Sequence, residues 1–142
     1  MDEGNPEVMI TAFLCNWCAY AGADLAGVSR LEIPATVRNI RVMCSGRVNP
    51  LFLMRALFNG ADGVLVGGCH PNDCHYTRGN FLARRRFVLL QDIFRSLEMD
   101  EDRFRLVWIS ASEGNKYAEV VRDFTKALKE KRPNPVRDEI FL

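Results

Sequence analysis

Several features that define familiar protein classes are missing from this sequence of 142 residues. It has no apolar run long enough to cross a bilayer, and it begins with Met1-Asp2-Glu3-Gly4 instead of the basic segment of a signal peptide. The formal net charge is +1, which offers no basic face for nucleic acid. The one basic cluster, Arg84-Arg85-Arg86, falls in a predicted helix and is expected to face solvent. These absences predict a cytoplasmic protein without a membrane or nucleic-acid partner.

The motifs of common enzyme classes are also missing. Gly67 and Gly68 are too few for a dinucleotide-binding fingerprint, and the sequence has no phosphate-binding P-loop. Asp24, Asp62 and Asp73 are scattered, and no nucleophile is paired with a general base. The chain is therefore predicted to be non-catalytic.

Short apolar runs alternate with helical patterns along the chain. The predicted strands are Val8–Leu14, Ile40–Met43, Val64–Val66 and Arg105–Ile109. The predicted helices are Ala19–Val28, a second that Asn49 caps before Pro50 and that ends before Gly60, a third over about 78–98, and a fourth that Ser112 caps and Pro133 ends. This alternation predicts an α/β fold, a single-domain three-layer sandwich around a four-stranded parallel sheet of flavodoxin-like order 2-1-3-4.

One domain is expected to occupy residues 1–135. With 48% hydrophobic residues, the chain is large enough to form a core without a metal ion or disulfides. The remaining residues, 136–142, form a tail that ends in Ile140-Phe141-Leu142. That tail is either a frayed terminus or a segment that docks on a partner.

Cysteine is the residue type that these predicted elements bring together. Cys15, Cys44 and Cys69 each follow a predicted strand, while Cys18 and Cys74 stand in the loops after two of them. Ligands of parallel α/β sheets bind beyond the carboxyl ends of the strands. The five thiols are therefore predicted to converge on one edge of the sheet.

Metal or redox chemistry is the leading explanation for these thiols, because structural disulfides are rare in a reducing cytoplasm. Four thiolates suit zinc or an iron–sulfur cluster. The C-x2-C spacing of Cys15 and Cys18 is common to many sites, whereas the C-x4-C spacing of Cys69 and Cys74 recurs in 2Fe–2S proteins. Two irons need two thiolates each, which the two motifs supply, with Cys44 as the odd one, either substituting for a ligand or lying beside the site.

Neighbouring residues favour a cluster. Gly46, Gly67 and Gly68 would let backbone N–H groups approach the sulfurs, and the helix that begins at Asn49-Pro50 would present its positive end. Shielding from water is predicted for three residues in the cysteine loops: Trp17, Pro71 and Tyr76.

Other interpretations stay open on these residues alone. The cysteines suit a closed zinc site that stabilises a larger assembly, and Cys15 with Cys18 suits a thioredoxin-like dithiol. Cys44 is equally typical of an ordinary buried cysteine. His70 and His75 are expected to be hydrogen-bonding or exposed neighbours of the cysteines and not ligands. A cluster without substrate machinery predicts an electron relay that needs partners on two sides.

Three segments closely resemble the delta subunit of methyl-viologen-reducing nickel–iron hydrogenase. They are Phe13-Leu-Cys-Asn-Trp-Cys-Ala-Tyr20, Arg41-Val-Met-Cys-Ser-Gly46, and Gly67-Gly-Cys-His-Pro-Asn-Asp-Cys-His-Tyr76 with the Gly79-Asn80 that follows. The resemblance extends from about Val8 to the end of the last helix.

The resemblance implies a cytoplasmic protein of methanogenesis that carries one 2Fe–2S cluster. Such a protein passes electrons from the hydrogenase small subunit to the FAD-containing A subunit of heterodisulfide reductase, where flavin-based bifurcation divides them between heterodisulfide and ferredoxin. Related chains receive electrons from formate dehydrogenase instead. The cluster-site residues implied by the resemblance are Cys15, Cys18, Cys44, Cys69 and Cys74.

Overall fold

Four parallel strands form the centre of the structure, a computed structural model that describes residues 8–131 and 134–136. The strands are β1 (Ile10–Cys15), β2 (Val37–Val42), β3 (Gly63–Gly68) and β4 (Phe104–Trp108). Their spatial order is β2-β1-β3-β4. The predicted parallel sheet and its flavodoxin-like order are confirmed.

Helices cover both faces of this sheet. They are α1 (Ala19–Val28), α2 (Pro50–Phe58), α3 (Gly79–Ser96) and α4 (Gly114–Glu130), with short 3-10 turns at Ser45–Arg47 and Glu101–Arg103. Helices α1 and α4 pack with Ile10, Leu14 and Leu65 in one hydrophobic cluster. Helices α2 and α3 pack with Val64 and the residues on the opposite side of the strands in a second cluster. The two clusters make the three-layer α/β fold that the sequence predicted.

Strand boundaries differ from the predicted ones where the apolar signal is weak. β2 begins at Val37 and ends at Val42, because it pairs with β1 from Ile10 to Cys15 as an exposed edge strand. β3 includes both glycines after Val66, and it is buried along its whole length between β1 and β4. An apolar run therefore locates a strand without giving its ends.

The predicted helix ends were correct for α2 and wrong for α4. The Asn49 side chain accepts a hydrogen bond from the Leu51 N–H at 2.9 Å, and Gly60 follows the helix with a φ of 111°. Ser112 does not cap α4; Glu113 occupies the cap position without a capping side-chain bond. The Glu113 carboxylate instead accepts the Ser110 N–H at 3.0 Å.

The predicted frayed start, residues 1–6, lies entirely outside the described part of the chain, as does the predicted tail, 136–142, except for Val136. Just before the tail, Asn134 is buried, and its side-chain nitrogen donates to the carbonyl oxygens of Leu57 and Ala61 at 2.8 and 2.9 Å. Among the described residues, no helix has the length and apolar composition that a membrane span requires.

Candidate metal centre

All five cysteines lie at the carboxyl edge of the sheet. Cys15 is the last residue of β1, and Cys69 follows β3 directly. Cys44 precedes the 3-10 turn after β2, Cys18 precedes α1, and Cys74 lies in the loop between β3 and α3. The structure therefore brings together the five residues that the sequence predicted, and none of the five forms a disulfide.

The closest sulfurs come from different motifs. The Cys15 and Cys69 sulfurs are 3.7 Å apart, and those of Cys44 and Cys74 are 3.9 Å apart. We call these the strand pair and the loop pair. Cys18 hydrogen-bonds to Cys69 beside the strand pair. The sequence analysis preferred the two motifs as the ligand pairs, with Cys44 as the odd residue. The sulfurs that lie closest together in the structure are paired differently.

Each sulfur pair fits a metal atom that binds two thiolates. Two sulfurs bound ~2.3 Å from a tetrahedral metal lie ~3.8 Å apart, close to both observed distances. Within the described residues, no group of three or more Cys, His, Asp or Glu side chains converges on a single ion. Two pairs of thiolates match the two-plus-two ligand set of a group with two metal atoms.

The pKa of the Cys74 thiol is shifted in the opposite direction from those of three other site cysteines. Burial raises the pKa of the Cys69, Cys44 and Cys18 thiols. Burial also acts against ionisation of Cys74, but N–H groups at 76, 79 and 80 hydrogen-bond to its sulfur and hold its pKa below the usual value.

Two glycines make room for the loop pair. A Cβ at Gly79 would lie 2.0 Å from the Cys44 sulfur and 3.2 Å from the Cys74 sulfur. A Cβ at Gly46 would lie 2.8 Å from the Gly79 Cα. The Gly46 N–H also donates to the Cys44 sulfur at 3.4 Å, as the sequence predicted. The 3-10 turn after β2 therefore packs directly against the first turn of α3.

The other predicted backbone donors have different roles. Gly67 and Gly68 lie inside β3, where added Cβ atoms would approach Leu14 Cδ2 and Ser45 Oγ to 2.8 Å. The helix whose first N–H groups reach a cysteine is α3, at Cys74, whereas the start of α2 is capped by Asn49. The positive helix end that was predicted for α2 is thus supplied at the cysteines by α3.

Asn80 connects α3 to the strand pair. It is fully buried, and its side-chain nitrogen donates to the carbonyl oxygens of Cys69 and His70 at 3.0 and 2.9 Å. Its side-chain oxygen accepts the Phe81 N–H at 2.9 Å. Asn80 thereby fixes the backbone just after β3.

Aromatic rings join the two cysteine loops at the surface. Trp17 stacks on His75 with ring centroids 3.8 Å apart, and its Nε1–H donates to the Tyr76 hydroxyl at 3.2 Å. Trp17 is 43% exposed, so the rings form an outer cover. Pro71, which was also predicted to shield the site, is exposed.

The other histidine of the cysteine loop, His70, contacts an acidic residue. His70 hydrogen-bonds to the Glu113 carboxylate at the start of α4. The Ser110 N–H and His70 together lower the pKa of Glu113 to about 2. His75 stacks on Trp17, so each histidine has a neighbouring partner.

Comparison with known proteins identifies the family. The family of the delta subunit of methyl-viologen-reducing hydrogenase matches residues 10–130. The chain belongs to this family.

Relatives of the delta-subunit family occur in two contexts. The iron-sulfur D subunit of the F420-non-reducing hydrogenase of Archaeoglobus profundus is 50% identical over 132 residues, 93% of this chain and 95% of that protein. The corresponding vhc iron-sulfur protein of Methanococcus voltae is 46% identical over 94% of this chain and 93% of its own length. The A subunit of the ferredoxin/F420H2-dependent CoB-CoM heterodisulfide reductase of Methanosarcina acetivorans is 50% identical over 87% of this chain.

The match to the reductase proteins is partial. The chain spans 16% of the length of the A subunits from Methanosarcina acetivorans and from Methanosarcina mazei. A delta-subunit domain therefore occurs both as a protein of its own and as a segment of a larger one.

Three residues shape this delta-subunit site although the sequence predicted no role for them in it. Gly79 and Asn80 stand at the start of α3, and Glu113 precedes α4. The Gly-Asn dipeptide at a helix start was the available signal for the first two. The contact between Glu113 and His70 depends on the fold, because the residues are 43 positions apart.

Proposed function

We propose that this chain is a non-catalytic, cytoplasmic electron-transfer subunit that carries one 2Fe–2S cluster at its cysteine edge. The observation that carries the proposal is the presence of two sulfur pairs at 3.7 and 3.9 Å. A 2Fe–2S centre takes two protein ligands on each iron. When bound, the cluster supplies one-electron transfer.

The strand pair holds one iron and the loop pair the other. This assignment makes Cys15, Cys69, Cys44 and Cys74 the ligands, and it leaves Cys18 as the fifth site cysteine, beside Cys69. It replaces the pairing within motifs, because the sulfurs closest to one another belong to different motifs.

The surroundings of the loop pair favour negative charge. Backbone N–H groups hydrogen-bond to Cys74 from the first turn of α3, and the Gly46 N–H points at Cys44. Such donors and the positive end of a helix raise the reduction potential of a cluster. The residues of this edge thereby favour the reduced state.

The proposed route runs from the small subunit of a hydrogenase to the FAD-containing A subunit of heterodisulfide reductase, within an electron-bifurcating complex of methanogenesis. Formate dehydrogenase is the alternative donor. Relatives that are hydrogenase iron-sulfur subunits support the donor side. A related segment inside a heterodisulfide reductase A subunit supports the acceptor side.

The cofactor is tested by EPR on anaerobically purified protein before and after dithionite, with iron, zinc and sulfide quantified on the same sample. We expect about two irons per chain and a 2Fe–2S signal on reduction. Stoichiometric zinc with no EPR signal would instead assign the chain to the structural zinc modules.

The ligand assignment is tested by a matched pair of variants, Cys44→Ser and Cys18→Ser. Cys44→Ser is expected to lose or strongly alter the cluster spectrum, since it removes half of the loop pair. Cys18→Ser is expected to keep the signal at full iron occupancy. The reverse result would place Cys44 outside the ligand set and restore the pairing within motifs.

A further inference from the structure

A surface groove opens over the loop pair. It has a volume of about 400 Å³, and it is lined by Met43, Cys44, Gly46, Arg47, Tyr76, Arg78, Gly79 and Leu82. Cys44 lies on its floor and is 6% exposed. The groove therefore leads from solvent to one of the proposed ligands.

The groove has apolar walls. The exposed fractions of Met43, Tyr76 and Leu82 are 51%, 50% and 43%. Large apolar side chains this exposed, grouped around one depression, mark an interaction site. The floor is held in place by Arg86, whose guanidinium donates to the Gly46 carbonyl.

The charge around the groove has one sign. Arg47 and Arg78 are exposed and line it, and none of its eight lining residues is acidic. Guanidinium groups bind carboxylates through two parallel hydrogen bonds. The groove therefore complements a protein segment that presents an apolar side chain between acidic residues.

We propose that this groove is the docking site for the FAD-containing subunit of heterodisulfide reductase, which inserts an apolar side chain over Cys44 and places carboxylates against Arg47 and Arg78. The inference rests on the proposed function. In the Methanosarcina relatives the corresponding domain is part of the same polypeptide as the rest of the reductase A subunit, so the two are covalently linked. Docking over Cys44 brings the acceptor next to the loop pair, where an electron has the least protein to cross.

The test measures the affinity of the iron-loaded chain for the FAD-containing reductase subunit and, separately, for the hydrogenase small subunit, at low and high salt. The double variant Arg47→Glu/Arg78→Glu is expected to bind the reductase subunit about tenfold more weakly or worse, because charge reversal turns attraction into repulsion. Leu82→Ser is expected to weaken binding severalfold. Affinity for the hydrogenase protein is expected to stay unchanged.

The matched control is Arg38→Glu, a charge reversal on an exposed residue near the start of β2, at the other end of the sheet. It is expected to change the affinity for the reductase subunit by less than twofold. Iron content and the EPR signal are recorded for every variant, and both are expected to match the wild type because the substituted side chains are exposed.

The outcomes separate this inference from the proposed function. If the double variant binds the reductase subunit as the wild type does, the groove proposal fails, even with a two-iron EPR signal. If the double variant instead binds the hydrogenase small subunit more weakly, the groove is the docking site of the electron donor and the proposal also fails. A third outcome is possible, in which the purified chain contains no iron but the double variant still binds the reductase subunit more weakly than the wild type. That result would support the docking site and contradict the proposed electron relay.

Discussion

The strand pair and the loop pair are positioned by different parts of the structure. Cys15 and Cys69 end or follow neighbouring strands, and each is only 1% exposed. Cys44 and Cys74 lie in loops, and their positions depend on Gly46, on Gly79 and on N–H groups of the first turn of α3. One half of the centre is thus fixed by the hydrogen-bonded sheet, and the other by a close backbone contact.

This difference predicts that the two halves can be disturbed separately. Substitutions around α3 are expected to disturb the loop pair first, because the strand pair is held by the pairing of β1 with β3.

Gly79→Ala is expected to abolish the loop pair. The added Cβ would lie 2.0 Å from the Cys44 sulfur, which cannot stay in place at that distance. We expect loss of most of the iron and of the EPR signal, measured on anaerobically purified protein.

The control for that change is Gly27→Ala, since no atom lies within 4 Å of a Cβ at Gly27 in α1. This variant is expected to keep its iron and to stabilise the protein by about 0.5–1 kcal/mol, as alanine usually does in a helix interior. Full iron occupancy in Gly79→Ala would show that Cys44 and Cys74 do not bind the cluster together.

Asn80→Ala is expected to loosen the connection between α3 and the strand pair. It leaves the carbonyl groups of Cys69 and His70 without their shared donor, which should cost about 1–3 kcal/mol of unfolding free energy. Denaturant unfolding measures the change. Asn115→Ala, on the exposed side of α4, is the control and is expected to change stability by less than about 0.5 kcal/mol. Equal stability of both variants would contradict the role of Asn80.

Trp17→Ala is expected to have the smallest effect, on the lifetime of the cluster and not on its assembly. Without the ring stacked on His75, the sulfurs are more open to oxygen and water. We expect the visible absorption to bleach severalfold faster in air, with an unchanged EPR signal in fresh samples.

Trp17→Phe sharpens that prediction, because it keeps an aromatic ring and removes the Nε1–H that bonds Tyr76. Its bleaching rate is expected to stay near that of the wild type. If the alanine variant bleached no faster, the aromatic cover would have no protective role.

The sheet and the location of the cysteines were predictable because both follow from short patterns. Apolar runs separated by helical stretches require a parallel sheet, and cysteines placed after strands of such a sheet share one edge. The ends of β2 were not predictable, since Arg38, Asn39 and Arg41 are exposed on an edge strand and give no apolar signal.

The partners of each sulfur were not predictable from spacing. Cys44 meets Cys74 because the chain path brings the 3-10 turn after β2 against the start of α3, and residues 30 positions apart then touch. Ser112 was wrong as the cap of α4, since Glu113 occupies that position. The Glu113 carboxylate bonds His70 in a distant loop, a contact that spacing does not reveal. Local patterns specify elements, whereas contacts between loops depend on the completed fold.

The two hydrophobic clusters lie one on each face of the sheet, so the domain has a core of its own on both faces. A domain with its own core on both faces can be joined to another polypeptide without being rebuilt. Joining makes the association of the two domains intramolecular. A short flexible linker then gives each domain an effective concentration, relative to the other, in the millimolar range. A linked copy of this domain needs only weak affinity for its neighbour, whereas a separate protein has to gain all of that affinity from its surface.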